Sequence, residues 1–162
     1  MIGKLEHEQE LHVPASEAWD LFGTLRIGQL VAQELPQLFQ SVEITEGDGG
    51  VGTVLKLTFA PGVPGPGDYK EKFTKIDNEK RIKETEVVEG GYLELGFTLF
   101  RVRFEVIEKG EESSIFKGTI EYEVKEENAS NASIVSIQPV ATTAELAKNY
   151  LLKNKASKEA SQ

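Results

Sequence analysis

YKEKFTKIDNEKRIKETEVVEG, residues 69–90, is the stretch from which the fold is read. Two strand-like runs, 68–77 and 80–88, meet at the turn signal DNEK, residues 77–80. Side chains alternate faces along a strand, so Tyr69, Glu71 and Phe73 share one side and Lys70 and Lys72 the other. A carboxylate thereby stands between two aromatics on the face expected to be buried. In the second run Lys83 shares its face with Thr85 and Val87. Periodicity leaves two arrangements open. Either Glu71 and Lys83 both enter an apolar interior, or the register is displaced by one residue and they pair on the outside.

The same alternation extends in both directions. Further strand-like runs cover 38–46, 52–60, 95–108 and 112–125, with turns at GDGGVG, EGGY and KGEE. An earlier run, KLEHEQELHV at 4–13, places Leu5, His7, Leu11 and Val13 on one face and stops at Pro14. From Ala15 to Pro36 the spacing is helical in two pieces. Ser16 is the expected N-cap, Trp19, Phe22 and Leu25 line one face, and Gly23 and Pro36 punctuate. Residues 129–154 read as one amphipathic helix, with Pro139 bending it or marking its first turns. The predicted order is strand, two short helices, six strands, long helix, in an α+β domain over 1–155 with a flexible polar tail at 156–162. A seven-stranded antiparallel meander has one apolar face, which the long helix must cover. If that sheet is strongly curved, a cavity remains where a ligand can bind.

The inward faces suggest what such a cavity contains. In 95–108 the apolar set is Phe100, Val102, Phe104 and Val106, with Thr98, while Phe97, Leu99, Arg101 and Arg103 lie opposite. Tyr92 is expected near the rim. Lys70, Lys72, Arg101, Arg103, Glu84 and Glu86 form a solvated outer row. A glutamate and a lysine in an apolar cavity are drawn toward neutrality by desolvation and held charged by each other. They are then candidates for general acid and base work near neutral pH. GDGGVGT, residues 47–53, looks like a phosphate cradle but lacks the following Lys-Ser/Thr and the helix, and its ordinary reading is a hairpin.

Composition narrows the classes. At 162 residues, with 39% hydrophobic and 28% charged side chains, the chain fits a single globular domain. No apolar run approaches the ~20 residues of a membrane span. A net charge of −9 disfavours nucleic acid and anionic membranes as partners. The absence of cysteine removes thiolate chemistry, and His7 and His12 are too few for a histidine metal site. No metal and no cofactor are expected. The N-terminus, MIGKLEHEQELHV, is too charged for a secretory signal, which points to the cytoplasm.

Four stretches also carry a family resemblance: GDGGVGTVLKLTFAPG at 47–62, YKEKFTKIDNEKRIK at 69–83, VEGGYLELG at 88–96 and IEYEVKEE at 120–127. They resemble the plant pathogenesis-related class 10 proteins, the family of the major birch pollen allergen. Within that family they are most similar to norcoclaurine synthases of benzylisoquinoline alkaloid biosynthesis. The resemblance implies a helix-grip fold, a curved seven-stranded sheet around the long helix with a tunnel-like apolar pocket, and so the inward register. It implies a cofactor-free enzyme that condenses dopamine with 4-hydroxyphenylacetaldehyde through an iminium ion in a Pictet–Spengler cyclisation. Glu71, Lys83 and Tyr69 match the catalytic residues; Phe73, Tyr92, Phe100, Val102 and Phe104 fall at pocket positions. Two positions depart from the family pattern. Val102 stands where the family has an aspartate, and Phe100 where it has a tyrosine. Both changes make the wall more apolar. They favour, as an alternative, a proton-shuttling isomerase of a preformed alkaloid, of the kind that moves a morphinan double bond; a further alternative, the default for such a fold, is a non-catalytic carrier of hydrophobic ligands. The implied partner is a small amine and aldehyde, or an alkaloid, bound by a monomer or homodimer.

Overall fold

The structure, a computed structural model, describes residues 1–160. Strand β1 (Ile2–Leu11) is followed by α1 (Ala15–Phe22) and α2 (Arg26–Glu34). The meander then runs through β2 (Phe39–Glu46), β3 (Val54–Phe59), β4 (Tyr69–Asp77), β5 (Ile82–Gly90), β6 (Phe97–Gly110) and β7 (Ser113–Val124). Helix α3 (Gln138–Ala160) closes the chain. The strands form one seven-stranded sheet in the order β1-β7-β6-β5-β4-β3-β2, with every neighbouring pair antiparallel. β2 through β7 follow one another without a crossover, as antiparallel neighbours allow, with the longest connection at 60–68. β1 returns to pair with β7 at one edge. This is the α+β, helix-grip arrangement, with its core between the concave face of the sheet and the three helices.

Interruptions of register curve the sheet. β4 and β5 slip between Lys70 and Glu71 and again between Phe73 and Lys75; β6 and β7 slip between Phe97 and Leu99. A residue inserted into one strand of a pair bends it and increases its twist. Bulges also change phase, and that corrects the strict alternation expected for β6. Phe97 and Phe100 are both buried and Thr98 is exposed, because the slip at 97–99 turns Phe97 inward. The same device in β4 brings Ile76 opposite Lys83, where unbroken alternation would have turned Lys75 inward.

The helices differ from expectation at their starts. Pro14, not Ser16, occupies the N-cap of α1, and its carbonyl accepts from the amides of Glu17 and Ala18. Ser16 is exposed within the first turn and makes no capping bond. The expected helix over 129–154 divides in two. A 3₁₀ segment, Glu126–Ile134, precedes α3, which begins at Gln138 with Pro139 in its first turn, where a missing N–H costs nothing. At the other end α3 continues through Ala160, into the stretch expected to be a flexible tail; residues 161–162 lie outside the described part. Among the described residues no helix is long and apolar enough to cross a membrane.

The glycine-rich segment 47–53 is the β2–β3 hairpin. Its amides are already engaged, Gly49 with Thr53 Oγ1 (2.8 Å), Gly50 with Asp48 Oδ1 (3.4 Å) and Gly52 with the Phe73 carbonyl (2.8 Å). A phosphate would have to displace those bonds. On the convex face Arg101 and Arg103 pair with Glu84, Glu86 and Glu121, and Lys70 pairs with Glu89. The expected outer row is there.

Helix α3 lays Val140, Ala144, Ala147 and Leu151 on the sheet, one stripe at helical spacing. Its approach is set by Gly118 in β7. A Cβ at that position would lie 2.4 Å from Val140 Cγ1 and 3.1 Å from Phe116 Cζ. Gly118→Ala is therefore expected to destabilise the fold by about 1–3 kcal/mol through overpacking. Urea denaturation measures this as a lower midpoint at unchanged slope, and an unshifted midpoint would show that α3 does not seat against Gly118.

Candidate active site

A cavity separates the sheet from the helices, leaving about 130 Å³ through which the centre of a water-sized sphere can move. β4 and β5 supply Tyr69, Glu71, Phe73, Lys83 and Thr85, β6 supplies Val102 and Phe104, and the helices close the other side with Ile27, Val31, Val140 and Thr143. The wall is predominantly apolar. Among the described lining residues Tyr69, Glu71 and Lys83 are the titratable groups.

Lys83 is 4% exposed. Its Nζ donates to the Thr24 carbonyl at 3.2 Å and the Phe22 carbonyl at 3.4 Å, and lies 4.2 Å from the centroid of the Phe73 ring. The Phe22 carbonyl ends α1, where backbone oxygens lack intrahelical donors and carry partial negative charge, and the Thr24 carbonyl belongs to the bend that follows. Phe22 fixes that end, stacked on Phe116 at 4.3 Å and edge-on to Phe104 at 5.8 Å. Burial nevertheless pulls the Lys83 ammonium down to about 8, with the charge of Glu71 acting the other way.

Glu71 stands on the next strand with its Oε2 accepting from Thr85 Oγ1 at 3.4 Å. Burial pushes its carboxyl up; Lys83 and then Thr85 oppose the shift without cancelling it. Glu71 and Lys83 thus act on one another across the cavity, each hydrogen-bonded to a different neighbour. Tyr69 is raised well above the ordinary phenol range, first by burial, then by the Glu71 charge and Tyr92. At neutral pH it is a phenol that can donate. The arrangement offers one acid and one base, both displaced toward neutrality, on an apolar surface.

Of the residues singled out from the sequence, Tyr69, Glu71, Phe73, Lys83, Val102 and Phe104 come together on the cavity wall. Tyr92 and Phe100 do not. Tyr92 is buried in the 3₁₀ segment Gly91–Leu95 rather than at the rim, stacked on Phe100 at 3.7 Å with Tyr69 6.3 Å away. The pair backs the wall instead of lining it. Val102 is the register partner of Thr85, so its side chain is next to the hydroxyl that holds Glu71. The sequence reading missed the helical half of the cavity and the roles of Thr24 and Thr85. Ile27 and Val31 stand at i, i+4, a spacing that marks an apolar helix face and gives no further signal.

Fold and cavity together define a helix-grip protein with a ligand pocket. The chain belongs to the pathogenesis-related protein Bet v 1 family, whose model matches residues 1–154. It is 48% identical to the norbelladine synthase of Narcissus pseudonarcissus over 157 residues, 97% of this chain and 96% of the relative. It is 40% identical to S-norcoclaurine synthase 2 of Papaver somniferum, covering 94% of this chain and 67% of that one. Among solved structures it resembles a point mutant of Thalictrum flavum norcoclaurine synthase in complex with a transition-state analogue, at 35% identity and a TM-score of 0.88 over 96% of this chain and 97% of the other. The same Thalictrum enzyme in complex with dopamine and hydroxybenzaldehyde matches at 35% identity and a TM-score of 0.85, over 94% and 88% of the two chains.

The shift on Lys83 has a consequence for stability. Its pKa falls from 10.5 to about 8 on folding, so between those values the unfolded chain binds the extra proton. Stability attributable to Lys83 therefore rises with pH across that window, by up to about 1.4 kcal/mol per pH unit, and the penalty of a buried ammonium is in force below it. Lys83→Met is expected to lose this rise. Parallel slopes for the two proteins from pH 8 to 10 would contradict the assignment.

Proposed function

We propose that this chain condenses an arylethylamine with an aromatic aldehyde through an iminium ion, in the manner of a norcoclaurine synthase, with dopamine and 4-hydroxyphenylacetaldehyde as the pair to test first. The observation that carries this reading is the pair Glu71 and Lys83, facing one apolar cavity with their pKa values displaced in opposite directions. The relatives support it, since the Narcissus and Papaver proteins are synthases and one solved neighbour is in complex with an amine and an aldehyde. Such a reaction needs proton transfers alone, and these residues supply them.

In this mechanism Glu71 takes a proton from the incoming ammonium, and the freed amine attacks the aldehyde carbon. The carbonyl electron pair moves onto oxygen, which takes a proton from Lys83. The nitrogen of the adduct returns its excess proton to Lys83. Glu71 then delivers its own proton to the hydroxyl, which leaves as water, and the nitrogen lone pair forms the iminium. Ring closure follows when the aryl carbon attacks the iminium carbon and Glu71 removes the proton from the ring. Tyr69, held as a phenol, orients the substrate or relays a proton. Isomerisation of a preformed alkaloid drew its support from two apolar replacements, and of these only Val102 lines the cavity.

The test is turnover of the amine and aldehyde with two readouts, the open-chain imine trapped by reduction and the cyclised tetrahydroisoquinoline. Glu71→Gln and Lys83→Ala are each expected to lower kcat by about 10²-fold or more. No enzyme-dependent product of either kind above buffer would sink the reading. Val102→Asp places a carboxylate beside Thr85, and is expected to lower KM for the amine several-fold. It should also move the acid limb of the pH profile upward, because a like charge raises Glu71 further.

A further inference from the structure

The carbonyls that hold Lys83 are themselves positioned by a contact outside the cavity. Asn78 lies in the β4–β5 turn, whose Asp77 Oδ1 accepts from the amides of Glu79 (3.1 Å) and Lys80 (2.9 Å). The Asn78 side chain points the other way, its Oδ1 accepting from Trp19 Nε1 at 2.9 Å. Trp19 is 7% exposed, and its ring presses on Gly23. A Cβ on Gly23 would come within 2.5 Å of Trp19 Cε2, so only glycine admits the indole this close. Gly23 lies between the residues whose carbonyls accept from Lys83, and its amide donates to the Trp19 carbonyl at 2.8 Å. Thr24 Oγ1 ties the same bend down, donating to the Asp20 carbonyl at 2.7 Å and accepting from the Arg26 amide at 3.2 Å.

A closed loop of contacts results. The turn that launches β5 fixes Lys83 at one end, and through Asn78 and Trp19 it fixes the α1 carbonyls at the other. We propose that the Asn78–Trp19 hydrogen bond is a positioning latch for the reaction, setting the Phe22 and Thr24 carbonyls where they keep the Lys83 ammonium protonated and aimed at the cavity. This rests on Lys83 being the acid of the proposed condensation. Neither latch residue lines the cavity, so they act only through Lys83. Among the other groups facing Lys83, Glu71 also favours its charge, and the rest carry none. From β4 come Glu71 and the Phe73 ring, from β5 and β6 come Thr85 and Phe104, and from α3 come the uncharged Val140 and Thr143.

Freed carbonyls stabilise the ammonium less, so its pKa drops. In Asn78→Ala and Trp19→Phe the titration midpoint of Lys83, followed by NMR on ¹³Cε-lysine protein and assigned with Lys83→Arg, is expected to fall by about one pH unit. The basic limb of kcat should fall with it, and kcat at pH 7.5 should drop by roughly 3-fold at nearly constant KM. Asn78→Asp keeps an acceptor for the indole and is expected to restore both. The double variant should be no worse than either single one, because both break one bond. A Lys83 midpoint unchanged in Asn78→Ala and Trp19→Phe overturns the latch, whatever happens to turnover or melting temperature. A midpoint that falls while the kcat profile stays in place upholds the latch and counts instead against Lys83 as the acid.

Discussion

One constraint organises the concave side of this molecule: an ammonium group must remain usable inside an apolar cavity. Taking a charged amine out of water costs several kcal/mol unless protein dipoles replace the lost hydration. For Lys83 those dipoles come from the end of α1 and the face of Phe73. The bargain is mutual, since the last carbonyls of a helix need donors as much as the amine needs acceptors. It dictates where α1 stops, why a glycine follows Phe22, and why Phe22 is wedged against Phe104 and Phe116. It also requires the sheet to curl far enough for an inward residue of β5 to reach a helix end. The bulges in β4 and β6 supply that curl.

The same constraint explains why the site is expensive to keep. Glu71 and Lys83 are each displaced toward the uncharged form by burial, and each is pulled partway back by the other. An apolar pair of similar volume would fill the space with less strain on stability. What the charged pair provides instead is an acid and a base displaced toward each other, so that one group can give a proton and another take one at more nearly comparable cost. Separation matters as well. Glu71 hydrogen-bonds Thr85 and Lys83 bonds backbone carbonyls, so neither neutralises the other by contact, and a substrate can enter between them.

The meander was legible in the sequence because its turns are short and strongly marked and each strand has one apolar face. Glu71 and Lys83 were legible as oddities of that alternation, and the family resemblance decided which face was inside. What alternation could not show is where it breaks. The slip at Phe97–Leu99 reverses the phase of one strand, and nothing local in FTLF announces it. Ser16 has the chemistry of an N-cap, but Pro14 already ends β1's extension and offers its carbonyl two residues earlier. The helical half of the cavity reads as ordinary core, since a pocket wall and a packed core use the same side chains. The acceptors of Lys83 have no signature at all. They are backbone carbonyls, which every residue possesses, and only the fold selects Phe22 and Thr24.

Val102 gives the proposed chemistry its particular form. Glu71 is the only carboxylate among the described lining residues, so a cationic amine entering the cavity has one anion to meet. Burial pushes the Glu71 carboxyl toward its protonated form. An arriving ammonium changes that balance, because an adjacent positive charge favours the carboxylate. In the proposed mechanism an ammonium substrate therefore favours ionisation of the group that deprotonates it, which a neutral aldehyde does not. A second carboxylate at position 102 would share the ammonium and blunt this response, since two neighbouring acids push each other's pKa upward. In the proposed condensation, valine at this position leaves Glu71 alone to meet the ammonium, so that amine binding and base activation become one event.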